Sequence, residues 1–180
     1  IRFAREAEVA AIHQIARPDR LRGEFRGGVS RRVQRGEKQH QTTQLARRRD
    51  PDGGYEPLLD ELLRPVLAHC LDAGIRIVSN FGAANPRGAA RRIAALAAEL
   101  GLAAPRIAVV EGDDVGALAQ RSLLRDALGA SADLDGVMAT MVCANAYLGA
   151  DAIADALLAG ADIVVTGRVA DPSLALGPLI

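Results

Sequence analysis

From residue 58 onward the apolar positions alternate between two periods. Leu58, Leu59, Leu62, Leu63, Val66, Leu67 and Cys70 recur at intervals of three and four, the spacing that lines one face of a helix. Pro65 sits inside that run without an N–H to donate, so it should kink or split the helix, and Gly74 should close it. The β-branched stretch at residues 75–80 then predicts a short buried strand. Asn85-Pro86 is the clearest local signal, a strong N-cap followed by the residue favoured at the first helical position. It predicts a helix with Ile93, Leu96, Ala97 and Leu100 inward and Arg91, Arg92 and Glu99 outward, ended by Gly101. The plan then repeats. Strands are predicted at residues 106–110, 137–144 and 162–166, and helices at 115–128 and 152–159. Asp151 should cap the second of these helices and Gly160 stop it, and a last helix should begin near Asp171. Strands separated by amphipathic helices describe an α/β protein, a parallel sheet of βαβ units. A doubly wound sheet is the expected form, with part of a β/α barrel as the alternative, and either way the domain is expected to be incomplete.

The first part of the chain obeys neither period. Val9, Ile12 and Ile15 suggest one helix over residues 1–16, whereas residues 20–44 show no sustained repeat and are expected to be poorly structured. The chain therefore divides into a basic segment, residues 1–43, and an α/β domain, residues 44–180. The net charge of zero over 180 residues hides the same division. Residues 1–50 carry a charge of +7, from 13 basic and 6 acidic side chains, and the remainder carries −7. Arg31, Arg32, Arg35 and Lys38 can contact phosphates, but no aromatic side chain lies between Val29 and Leu45 to stack a base. A nucleic-acid partner is not expected, and strong salt-dependent binding by residues 1–50 would be its mark. No apolar run reaches the ~18 residues of a membrane helix, so no membrane partner is expected. Cys70 and Cys143 lie far apart, and of the three histidines only His69 adjoins one, so no zinc site is assigned. So few thiols favour a reducing, cytoplasmic location.

Ligands of parallel α/β sheets bind at the carboxyl ends of the strands. There the sequence places Asn80, Gly82, Asn85 and Arg87, then Glu111, Asp113 and Asp114, then Asn145 and Tyr147, then Arg168, Asp171 and Ser173. Gly82 to Arg87 join a glycine turn to a helix N-terminus, which attracts phosphate or carboxylate; the plainer role of Gly82 and Asn85 is turn and cap. The carboxylates at 111, 113 and 114 suit a hard cation, a general base or a helix cap, and no metal is assigned. Arg168 and Asp171 can pair with each other, or Arg168 can take an anion in its guanidinium fork. Tyr147 can donate a proton or plug the sheet edge. Cys143 has no histidine nearby in sequence to serve as its base and suits a buried thiol better. Asp113 and Tyr147 are the catalytic candidates. Asn80, Gly82, Asn85, Arg87, Asn145, Arg168 and Asp171 are the binding candidates, and no cofactor is assigned.

Four ordered blocks add a resemblance. Residues 75–86 (IRIVSNFGAANP), 109–115 (VVEGDDV), 144–150 (ANAYLGA) and 161–173 (ADIVVTGRVADPS) resemble the acyclic terpene utilisation (AtuA-like) family, with the likeness running from about Gln44 to Ile180. It implies a bacterial cytoplasmic protein of terpenoid or branched acyl-CoA catabolism, with an anionic acyl substrate, its coenzyme A thioester among the forms to expect. A lyase or hydratase is the enzymatic version; a non-catalytic acyl- or phosphate-binding subunit is the alternative. A second copy or a partner domain would complete the assembly. Members of the family are longer, and residues 1–43 match none of the amino-terminal part. An upstream reading-frame shift would produce such a switch, which translating the coding DNA in the other two frames tests.

Overall fold

The computed structural model describes residues 9–13, 35–114, 133–141 and 143–180. Four strands form one parallel sheet in the order β1-β3-β4-β2: β1 (Val9–His13), β2 (Ile77–Ser79), β3 (Ile107–Glu111) and β4 (Ile163–Thr166). Among the described residues the sheet is open, with β1 and β2 at its edges. Of the two architectures expected, the doubly wound one is present. On one face, helices α2 (Leu59–Leu63), α3 (Leu67–Asp72) and α4 (Pro86–Glu99) cover Ile107, Val109, Ile163 and Val165. On the other, α6 (Asp151–Leu158) packs Ala152, Ile153, Ala156 and Leu157 against Ala108, Val110 and Val164, joined by Leu174 of α7 (Asp171–Leu176). Successive residues of a strand point to opposite faces, so β3 and β4 must be apolar throughout to serve two layers. All four residues of β4 are buried.

Several sequence expectations hold because their causes are local. Pro65 does split its helix, into α2 and α3, and Gly74, Gly101 and Gly160 end theirs with positive φ. Ile93 and Leu96 are fully buried. The outer face of α4 is tied to α2 by charge. Arg92 grips Asp60 with Nε and Nη2 and reaches Glu99 with Nη1 (2.6 Å), while Arg64 holds the other Glu99 oxygen at 2.7 Å. Hydrogen bonds from Arg92 and then Arg64 hold the Glu99 carboxyl down to about 2, and the bond from Arg92 also lowers Asp60.

Other expectations are corrected. The described residues among 137–144 form no strand. Helix α5 (Leu134–Thr140) occupies the first half, started by Asp133, whose side chain accepts from Gly136 N at 3.0 Å. Leu134, Met138 and Ala139 are good helix formers, so the cap outweighed the apolar run. Beyond it the backbone is extended at Met141, with only isolated bridges at Asn145 and Leu148. Residues 9–13 are strand β1, paired with β3 in register Val9↔Ile107 through His13↔Glu111, not part of a helix. Pairing with a distant strand overrode a weak local period. Residues 35–44 belong to helix α1 (Arg35–Arg49), which runs across the expected segment boundary at 43/44. A helix that buries only Thr43 and Gln44 over residues 42–49 leaves no apolar stripe to see in the sequence. Asp151 is the first residue of α6, whose N-cap is Ala150, so it does not cap the helix. The helix expected at 115–128, and the rest of those expected over residues 1–16 and 20–34, lie outside the described residues.

Candidate functional site

Adjacent strands β4 and β2 send their chains to opposite faces of the sheet, β4 into α7 and β2 into α4. Such a divergence opens a crevice at the carboxyl ends of the strands. The turn after β2 is built tightly. Ser79 Oγ accepts from Phe81 N at 3.1 Å, the Asn80 carbonyl from Ala83 N at 3.1 Å, and the Gly82 carbonyl from Asn85 N at 2.7 Å. Gly82 lies against the Thr166 carbonyl at the end of β4; a Cβ there would come 2.5 Å from Pro86 Cβ and 2.7 Å from Pro86 Cα. Buried Asn85 caps α4 by accepting from Gly88 N at 3.0 Å, and its Nδ2 donates to the carbonyls of Pro51 (2.9 Å) and Gly53 (2.8 Å). Both amide hydrogens are thus used inside the fold, so Asn85 frames the turn. Arg87 is turned to Glu111, its Nε 3.0 Å from both carboxylate oxygens and its Nη2 2.8 Å from Oε2. That fork joins the first turn of α4 to the end of β3.

The turn after β3 carries the central group. Asp113 is buried, and its Oδ2 accepts from Asn145 Nδ2 at 2.9 Å and from Arg168 N at 3.0 Å. Its carbonyl accepts from Ala146 N at 2.7 Å. Gly167 leaves room for it, since a Cβ there would meet Asp113 Cγ at 2.8 Å. Leu148 N donates to the Arg168 carbonyl and Ala170 N to that of Leu148, at 3.3 and 3.0 Å. One carboxyl therefore knits together the turn after β3, the segment around Asn145 and the turn after β4. Burial pushes the Asp113 carboxyl above the ordinary carboxylate range, opposed by the bonds from Arg168 N, its own backbone N–H and Asn145. A raised pKa gives the protonated form a larger share than in a solvated aspartate, which is what a proton donor requires.

Arg168 stands half-exposed beside it. Its Nη1 donates to the Tyr147 hydroxyl, and its guanidinium carbon lies 5.0 Å from the centre of the Tyr147 ring. Tyr147 is itself 53% exposed. Desolvation pushes the half-buried Cys143 thiol up despite the nearby Arg168 charge, which does not suit a thiolate nucleophile. Asn80 and Asp171 lie exposed at the rim. The structure thus brings Gly82, Asn85, Arg87, Asp113, Asn145, Tyr147 and Arg168 to linked turns at one end of the sheet.

Glu111, Asp113 and Asp114 do not act as one acidic group. Among the described residues no three His, Cys, Asp or Glu side chains gather as a metal-binding cluster. No helix of the described residues is long and apolar enough to cross a membrane. A separate cavity lined by Arg76, Val78, Leu157 and Ile180 contains none of the candidate residues. Sequence reasoning missed the packing role of Gly167, which its place directly after a buried strand could have suggested. It also missed the bond from Arg47 to the Ala84 carbonyl, for which no local signal exists.

The family model described as acyclic terpene utilisation family protein AtuA matches residues 36–180, beginning eight residues before the likeness seen in the sequence. No curated protein and no solved structure matches the chain.

Proposed function

Because the chain belongs to the acyclic terpene utilisation family, we propose that the rim at the carboxyl ends of its strands binds an anionic acyl substrate of terpenoid catabolism, its coenzyme A thioester included. One observation carries this reading. Arg64, Arg87, Arg91, Arg92 and Arg106 are each paired with a carboxylate, and Arg47 and Arg76 donate to backbone carbonyls. Among the described residues Arg168 has a neutral phenol as its side-chain partner. A guanidinium held at a crevice without a neutralising carboxylate is suited to a ligand's negative charge.

In the enzymatic form of the proposal the protein is a lyase or hydratase. Arg168 fixes the substrate's charged group, and Asp113, whose hold on a proton burial strengthens, exchanges a proton with the reacting carbon or oxygen. Tyr147 can pass a second proton, because its oxygen accepts from Arg168 while its own hydrogen remains available to donate. Asn80, Arg87, Asn145 and Asp171 border the bound molecule, and Gly82 and Asn85 hold the turn. The protein works in the bacterial cytoplasm, as a piece of a longer polypeptide or with a second copy or partner domain. The rival is a non-catalytic acyl-binding subunit, favoured by Asp113 Oδ2 already having two internal donors.

Calorimetric titration with succinyl-CoA, which carries both phosphates and a free carboxylate, tests the binding claim. Arg168→Ala is expected to weaken affinity about tenfold or more, the size of a lost hydrogen-bonded charge contact. Equal affinity in wild type and variant would remove the claim. Binding without product formation by the intact protein would favour the rival.

A further inference from the structure

Among the arginines at the turns and on α4, Arg92 and Arg87 show how this protein uses the Nε–Nη2 edge of a guanidinium. Arg92 lays that edge against Asp60, with Nε 2.8 Å from Oδ1 and Nη2 on Oδ2. Arg87 does the same to Glu111, with Nε 3.0 Å from both oxygens and Nη2 2.8 Å from Oε2. In each case a planar carboxylate meets a planar fork. Arg168 differs. Its Nη1 is engaged by the Tyr147 hydroxyl and one face of its guanidinium lies over the Tyr147 ring, 5.0 Å from the centre. Among the described residues its Nε–Nη2 edge meets no carboxylate. We infer that this edge of Arg168 is a docking site for a carboxylate group carried by the ligand, and that Tyr147 is the positioning residue that aims it.

The inference rests on the proposed anionic acyl substrate and sharpens it: the charge read by Arg168 is a free carboxylate on the acyl part, not the phosphates of the coenzyme. The physical grounds are orientation and entropy. An arginine side chain is flexible, and a fork held in place loses less freedom when it closes on a ligand. Tyr147 supplies two restraints at once, a hydrogen bond to Nη1 and an aromatic surface under the guanidinium. The segment that carries Tyr147 is held to the turn of Arg168 by the Leu148–Arg168 and Ala170–Leu148 backbone bonds, so the two side chains move as a unit. Asn145 and Asp113 fix the other side of the same turn, through the bond from Arg168 N to Asp113 Oδ2.

Titrating the 180-residue chain with succinyl-CoA and butyryl-CoA, which share a four-carbon acyl chain and differ in the terminal carboxylate, tests this directly. Wild type is expected to prefer succinyl-CoA by about tenfold or more, a bidentate charged contact. Arg168→Lys keeps the charge but not the fork and should lose most of that preference. Tyr147→Phe should lose part of it and Tyr147→Ala nearly all. Equal affinity for the two thioesters, with Arg168→Ala weakening both, would overturn the inference and leave the broader reading standing. Arg168-dependent binding of free succinate without binding of either thioester would support the carboxylate site and overturn the coenzyme A reading. Failure of succinate and both thioesters to bind would overturn both.

Discussion

Asn85→Ala is expected to lower the stability of the fold by about 2 kcal/mol, a lost cap and two part-buried carbonyls left without their donors. The size follows from what a single side chain does. Its oxygen accepts the Gly88 N–H at the start of α4, and its amide reaches back 32 and 34 residues to the carbonyls of Gly53 and Pro51. Most caps satisfy one helix end; this one also straps the Pro51–Gly53 turn to it. Asn85→Asp separates the two roles, because aspartate retains the capping oxygen and a charge favourable at a helix N-terminus but cannot donate. Chemical denaturation should find both variants destabilised, alanine more than aspartate. An aspartate variant as stable as wild type would show that the strap adds nothing.

Gly82→Ala should cost at least as much. The added methyl would sit 2.5 Å from Pro86 Cβ and against the Thr166 carbonyl, and neither a backbone carbonyl nor a proline ring can swing aside. Relief requires the turn after β2 to part from the end of β4, a shift of the overpacking kind that costs about 1–3 kcal/mol, or more where backbone must move. The variant should therefore unfold at markedly lower denaturant and, if folded, bind ligand weakly because the two turns no longer meet. Gly101→Ala is the control. That residue has positive φ, so alanine is strained, but no atom lies within 4 Å of the added methyl and the rim is not involved. Equal losses in the two variants would mean that close packing at Gly82 is unimportant.

What could be read in the sequence shares one property: its cause lies within a few residues. Asn85-Pro86 starts a helix through bonds to Gly88, Pro65 splits one by its own chemistry, and the apolar text of β3 and β4 announces burial on both faces. The convergence of polar turns also followed, since parallel strands put their carboxyl ends on one side. Contacts between distant residues could not be read. Glu111 is 24 residues from Arg87, and nothing local announces that they neutralise each other. The sequence offers Arg168 a partner in Asp171, three residues away, yet its side chain turns to Tyr147, 21 residues back. Strand β1 escaped notice because its five residues depend on β3, 98 positions later, for their hydrogen bonds. Helix α5 reads as a strand in the sequence because Val137 to Cys143 is apolar enough for either, and the cap at Asp133 decides.

Hydrogen–deuterium exchange with and without a saturating acyl-CoA tests most directly whether the turns form a single mouth. The account predicts that protection appears together at residues 79–88, 111–114, 143–149 and 167–171, and that Arg168→Ala abolishes it at all four. Protection confined to one of these segments, or found instead around Val78, Leu157 and Ile180, would contradict it.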